Sequence, residues 1–69
     1  MMYSIKYPAS GHTIKATYNH DKKQAELTAY DRNGFYLGAL SRTLSISFDH
    51  FMDLIHTDKK RGATVFQYA

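Results

Sequence analysis

Histidine is the side chain best suited to proton chemistry near neutral pH, and this chain carries four: His12, His20, His50 and His56. His50, Asp53 and His56 follow one another at three-residue intervals. Metal ligands from neighbouring turns of a helix sit three or four residues apart, so the trio suits a metal if further ligands come from elsewhere. The same spacing makes the three drift around one flank, as hydrated polar residues on a helix do. Nothing marks a nucleophile or an oxyanion hole beside them, so no catalytic residue and no bound metal is expected. The chain has no cysteine, which excludes disulfides, thiolate zinc sites and cysteine nucleophiles together.

Other catalytic signatures are missing too. There is no G-x-S-x-G, no P-loop and no G-x-G-x-x-G, and Gly11, Gly34, Gly38 and Gly62 are scattered. The carboxylates Glu26, Asp31, Asp49, Asp53 and Asp58 are spread along the chain, and Asp21 lies in a loop among lysines. At 69 residues the chain makes one small domain, and such a domain buries only about 60% of the surface its unfolded form exposes. A core of that size rarely builds a water-excluding cleft. The expectation is a non-enzymatic protein with no cofactor.

The elements that would position any functional surface follow from periodicity. Tyr3, Ile5 and Tyr7 alternate with Ser4 and Lys6, giving a strand over about 2–7, and Pro8-Ala9-Ser10-Gly11 reads as a turn. Ile14, Ala16 and Tyr18 alternate in a second strand, about 12–18. A third runs over about 25–31, with Leu27 and Ala29 inward and Glu26, Thr28 and Tyr30 outward. A fourth is expected over about 35–42. Ser47 has the features of a helix N-cap, with Ile46 and Phe51 spaced as a hydrophobic staple. Phe48, Phe51, Met52 and Ile55 then recur at helical spacing to about residue 61. Asp49 in the first turn and Lys59, Lys60 and Arg61 in the last suit the helix dipole, and Gly62 is a natural stop. A short final strand over 63–68 is expected from its β-prone residues. The fold class is therefore α+β: a two-layer, four- or five-stranded antiparallel meander with one helix on one face.

Between the third and fourth strands stands Asp31-Arg32-Asn33-Gly34. A two-residue Asn33-Gly34 loop would pair Arg32 with Phe35, whereas a three-residue Arg32-Asn33-Gly34 loop would pair Asp31 with Phe35. Aspartate first and glycine fourth suit a type I turn followed by a left-handed glycine, which selects the longer loop. On that register Phe35, Leu37 and Ala39 face the core. Tyr30 and Tyr36 then meet on the outer face, with Lys6, Lys15 and, further along, Arg42 as neighbours.

Aromatic rings beside cations on a sheet can stack on bases while the cations meet phosphates, so a nucleic-acid-binding module is one reading of that face. The net charge of +3 and pI near 9.3 permit phosphate attraction without supplying a dense basic stripe. Tyrosine and arginine also anchor protein interfaces. Tyr30, Arg32 and Tyr36 at the hairpin, with Lys6, Lys15 and Arg42, are the candidate partner-binding residues. A homodimer packing its outer tyrosines across a two-fold is a third reading. The run MMYSIKYPAS has no apolar stretch long enough for a signal peptide, so none is expected, and no stretch approaches the roughly 18 apolar residues of a membrane span. With no cysteine, the expected setting is the cytoplasm, with no membrane partner.

In size, composition and inferred layout the chain resembles the short, cysteine-free, single-domain proteins that phages and other mobile elements encode to block host machinery, the anti-CRISPR proteins among them. The resemblance is one of profile, with no shared motif behind it. It implies an inhibitor or adaptor that acts by contact with a host protein or protein complex.

Overall fold

The computed structural model describes residues 1–68. Five strands form one antiparallel sheet: β1 (Met2–Lys6), β2 (Thr13–Asn19), β3 (Gln24–Tyr30), β4 (Arg42–Leu44) and β5 (Thr64–Tyr68), in the order β4-β3-β2-β1-β5. A single helix, α1 (Phe48–Lys60), joins β4 to β5 and packs on one face. This is the two-layer α+β architecture expected from the alternating and helical spacings.

Register explains which residues meet the helix. Ile5 pairs with Ile14 and Tyr3 with Ala16 across β1 and β2, while Ala16 pairs with Leu27 and Tyr18 with Ala25 across β2 and β3. Paired residues share a face, so these apolar rows point together toward α1. There they enclose Phe51 and Ile55, the two buried residues of the helix. Phe51 is 1% exposed and lies with its ring centroid 6.0 Å from Tyr3, 5.3 Å from Tyr18 and 6.3 Å from Phe48. Aromatic contacts of this kind give a short chain large buried pieces. Tyr18 keeps its hydroxyl satisfied by donating to the Ile46 carbonyl at 2.9 Å.

Both ends of α1 are closed by the residues the sequence placed there. Ser47 accepts from the His50 amide at 3.2 Å, as an N-cap does. At the other end the Gly62 amide donates to Lys59 and the Ala63 amide to Asp58, each at 3.1 Å, which is the Schellman pattern. Ala63 is buried and leads directly into β5 beside β1.

One further bond ties the helix to the sheet. The Tyr7 hydroxyl donates to Asp58 Oδ2 at 2.9 Å. Burial, the hydrogen bond and the Asp58 charge push the Tyr7 hydroxyl up to about 12 from its ordinary 10. A pKa raised by folding means that stability from the neutral form is complete below pH 10 and is lost between pH 10 and about 12. Tyr7→Phe should therefore lower stability by about 1 kcal/mol at neutral pH. Compared with the parent, its chemical-denaturation midpoint should also fall less between pH 10 and about 12. Identical alkaline profiles for the two chains would refute that coupling.

The expected fourth strand over 35–42 is where the chain departs from expectation. Tyr36 makes an isolated bridge to Tyr30, the chain then forms a 3-10 turn at Gly38–Leu40, and β4 begins only at Arg42. Continuing the ladder without interruption would set Leu27 opposite Ala39, yet Leu27 pairs with Arg42. Three residues have been looped out of the ladder. Ser41 bridges the gap: its hydroxyl accepts from the Ala29 amide and donates to the Leu37 carbonyl, both at 3.0 Å. An odd offset exchanges the two faces of everything that follows. Arg42 and Leu44 consequently lie on the helix side, not on the outer face where Arg42 was expected.

That geometry makes a direct prediction. Deleting Gly38–Leu40 would bring Leu37 next to Ser41 while preserving both the Leu37–Ala29 and the Arg42–Leu27 alignments. The shortened chain should fold with one continuous hairpin, visible as unbroken cross-strand NOEs from Tyr30–Tyr36 to Ala25–Leu44. Loss of either pairing would show that the 3-10 turn is required for the register.

Candidate functional site

The hairpin tip is held by one carboxylate. Asp31 Oδ1 accepts from the amides of Asn33 at 2.8 Å and Phe35 at 2.9 Å, while the Gly34 amide donates to the Asp31 carbonyl at 3.0 Å. Gly34 takes φ +86°, the left-handed conformation that glycine adopts without strain. The Asp31 amide donates to the Phe35 carbonyl at 2.8 Å, so the three-residue loop is the one present.

Phe35 is nevertheless not a core residue. It is 69% exposed, because the tip extends past the area that α1 covers. Ala39, also expected inward, is exposed in the 3-10 turn, and only Leu37 is half-buried.

The uncovered face of the sheet carries the rest of the candidate surface. Thr64, Lys6, Thr13 and Tyr30 lie in one cross-strand row that ends at Tyr36. Tyr30 and Tyr36 meet edge to face at 6.3 Å, and Lys15 Nζ sits 5.4 Å from the Tyr30 ring centroid. Tyr36 is 63% exposed and Tyr30 half-buried. Tyr30 thus meets Tyr36 and Lys15 as the spacing predicted, and Lys6 lies two strands away in the same row. Arg42 pairs with Leu27 in a helix-side row, yet at the β4 edge it also borders a hollow with Tyr36, Glu26 and Thr28.

Arg32 has a partly structural place. Its guanidinium donates to the Ser10 carbonyl at 3.4 Å, linking the hairpin to the β1–β2 turn. It also lies so close over Gly11 that a Cβ there would stand 2.8 Å from the Arg32 Cβ. With Thr13, Lys15, Tyr30, Asp31 and Gly34 it borders a shallow hollow at the base of the tip. Two cations, Lys15 and Arg32, and the Asp31 carboxylate meet on its rim.

A second apolar group on this face was not singled out by the sequence reading. Phe66 pairs with Ser4 and Tyr68 with Met2 on the edge strand β5. Phe66 is 61% exposed, and Tyr68 and Met2 are exposed as well. The signal was present: alternation in β5 puts Val65 toward the helix and therefore Phe66 and Tyr68 away from it.

The histidines do not assemble. Among the described residues no group of three or more His, Asp or Glu side chains is placed to hold a metal ion. His20 packs against the rings of Tyr18 and Phe48 at 5.0 and 4.9 Å. Among the described residues no helix is long and apolar enough to cross a membrane. No protein-family model matches the chain, and neither a curated protein nor a solved structure is significantly similar to it.

Proposed function

We propose that this chain is a non-enzymatic binding protein that docks onto a protein partner through its hairpin tip and uncovered sheet face. The observation that carries this reading is the exposure of large rings: Tyr36 with Phe66 and Tyr68 on the uncovered sheet face, and Phe35 beside Tyr36 at the tip. Exposed apolar surface on this scale is unfavourable in water unless something covers it. Tyrosine and arginine at its centre are the residue types that anchor such contacts.

The charge on that face favours protein over nucleic acid. Lys6, Lys15, Arg32 and, at the β4 edge, Arg42 are scattered about the tyrosines, with Glu26 and Asp31 among them. A groove that tracks a phosphate backbone needs a denser row of positive charge. Together with the small, cysteine-free chain, this supports a role of the phage-inhibitor kind: a short protein, acting in the cytoplasm, that blocks or bridges a host protein complex.

Capture of the tagged chain's partners from a bacterial lysate tests the proposal. A protein retained after nuclease treatment, and released by alanine at Tyr36, supports it. Recovery that disappears with nuclease, or binding that weakens steeply with salt and depends on Lys6 and Lys15, would assign the face to nucleic acid instead.

A further inference from the structure

The two edges of the sheet are finished differently. β4 is three residues long, carries Arg42 and follows the 3-10 turn, so little ladder is open there. At the other edge β5 is five residues long and reads TVFQY, without charge or proline, and its register against β1 is unbroken. Short length, charge, proline and bulges are the devices that blunt an exposed edge. β4 has the first two and β5 has none.

Hydrogen-bond parity along β1 shows which backbone groups β5 leaves open. The Tyr7 amide donates to the His12 carbonyl at 2.9 Å, and the Tyr18 amide to the Met1 carbonyl at 3.1 Å. Odd-numbered residues of β1 therefore turn their N–H and C=O toward β2, and Met2, Ser4 and Lys6 turn theirs toward β5. Their partners there are Tyr68, Phe66 and Thr64. Val65 and Gln67 must then direct N–H and C=O outward, and among the described residues no strand lies beyond them. Phe66 sits midway between the two, 61% exposed on the uncovered face.

We infer that β5 pairs with β5 of a second copy, antiparallel about a two-fold axis through Phe66. In that register Val65 exchanges hydrogen bonds with the partner's Gln67, and Gln67 with the partner's Val65, so all four open groups of each strand are satisfied. Phe66 meets its own counterpart as a non-hydrogen-bonded pair, the kind with the closer side chains. Symmetry of the open groups about Phe66, with no charge to select another chain, favours a second copy over a foreign strand. Self-pairing also sets no like charges opposite each other across the new ladder. The contact is isologous and closes at two copies, because the β4 edge is blunted. Packing the open faces together fits less well, because Lys6, Lys15, Thr17 and Glu26 occupy the middle of that face. With five residues a side, against the ~20–30 of a standard interface, the dimer should have a micromolar Kd. The contact uses neither Tyr30 nor Tyr36, so it is independent of the hairpin tip.

Sedimentation equilibrium from micromolar to millimolar protein tests the inference. The parent should pass from monomer to dimer, and hydrogen exchange at the Val65 and Gln67 amides should slow as it does. Gln67→Pro removes one outward N–H without touching the β1 ladder, and proline is tolerated at such an edge position. Phe66→Lys sets two positive charges against each other on the axis, at a position mostly in water, so it stands as the test if the proline variant unfolds. Each variant should keep the parent's circular dichroism and stay monomeric where the parent dimerises. A parent still monomeric at millimolar concentration would overturn the inference. So would a dimer that survives both substitutions, or one lost instead with Tyr36→Ala, which would move the contact to the outer tyrosines.

Discussion

Replacing Phe51 with alanine is expected to leave most of the chain unfolded at physiological temperature. Phe51 is the largest fully buried side chain, and it is the ring around which Tyr3, Tyr18 and Phe48 are arranged. Truncating a buried phenylalanine costs about 3–5 kcal/mol in lost transfer energy and residual cavity. A chain of this length has roughly 3–10 kcal/mol of total stability. Circular dichroism should show a broad transition or none, whereas Phe51→Leu, which keeps most of the volume, should melt cooperatively at a lower temperature. A cooperative alanine variant within a few degrees of the parent would mean that the two layers are held by something other than this aromatic cluster.

That cluster was legible because each element carried its own period. Alternation in the first three strands, the staple at Ile46 and Phe51 and the Ser47 cap all pointed to the same two-layer arrangement, and such agreement between levels is what specifies a fold. The fourth strand was not legible for a physical reason. Residues 35–42 alternate acceptably in either register, and the looped turn is closed by the Ser41 hydroxyl spanning Ala29 and Leu37. A side-chain bridge across twelve residues leaves no periodic trace.

The candidate surface divides along the same line. Tyr30, Tyr36, Lys6 and Lys15 depend only on register up to Tyr36, and they meet as the turn chemistry of Asp31 and Gly34 implies. Arg42 lies beyond the looped residues, so its place in the register changed face. Phe35 shows a different limit: its parity points toward the helix side, but parity says nothing about how far a helix reaches. The open β5 rings were readable from alternation alone once β5 was accepted as a strand beside β1.

The second large effect is expected at the tip. Tyr36→Ala should weaken partner binding by about tenfold to thirtyfold, or ~1.4–2 kcal/mol, the range in which exposed aromatic anchors contribute at an interface. Phe35→Ala should act in the same direction, and the double variant should lose more than either alone. Because both side chains are mostly in water in the free protein, the melting temperature should move by no more than about 4 °C. That separation matters at Tyr36, which also packs edge to face on Tyr30 and lies close over Gly38. Tyr36→Phe keeps the ring and removes only the hydroxyl, so it should retain most of the affinity if stacking carries the contact. A Tyr36→Phe chain as weak as the alanine variant would assign the energy to the hydroxyl instead. Unchanged binding in all these variants would remove the tip from the interface and leave Phe66 and Tyr68 as the anchors.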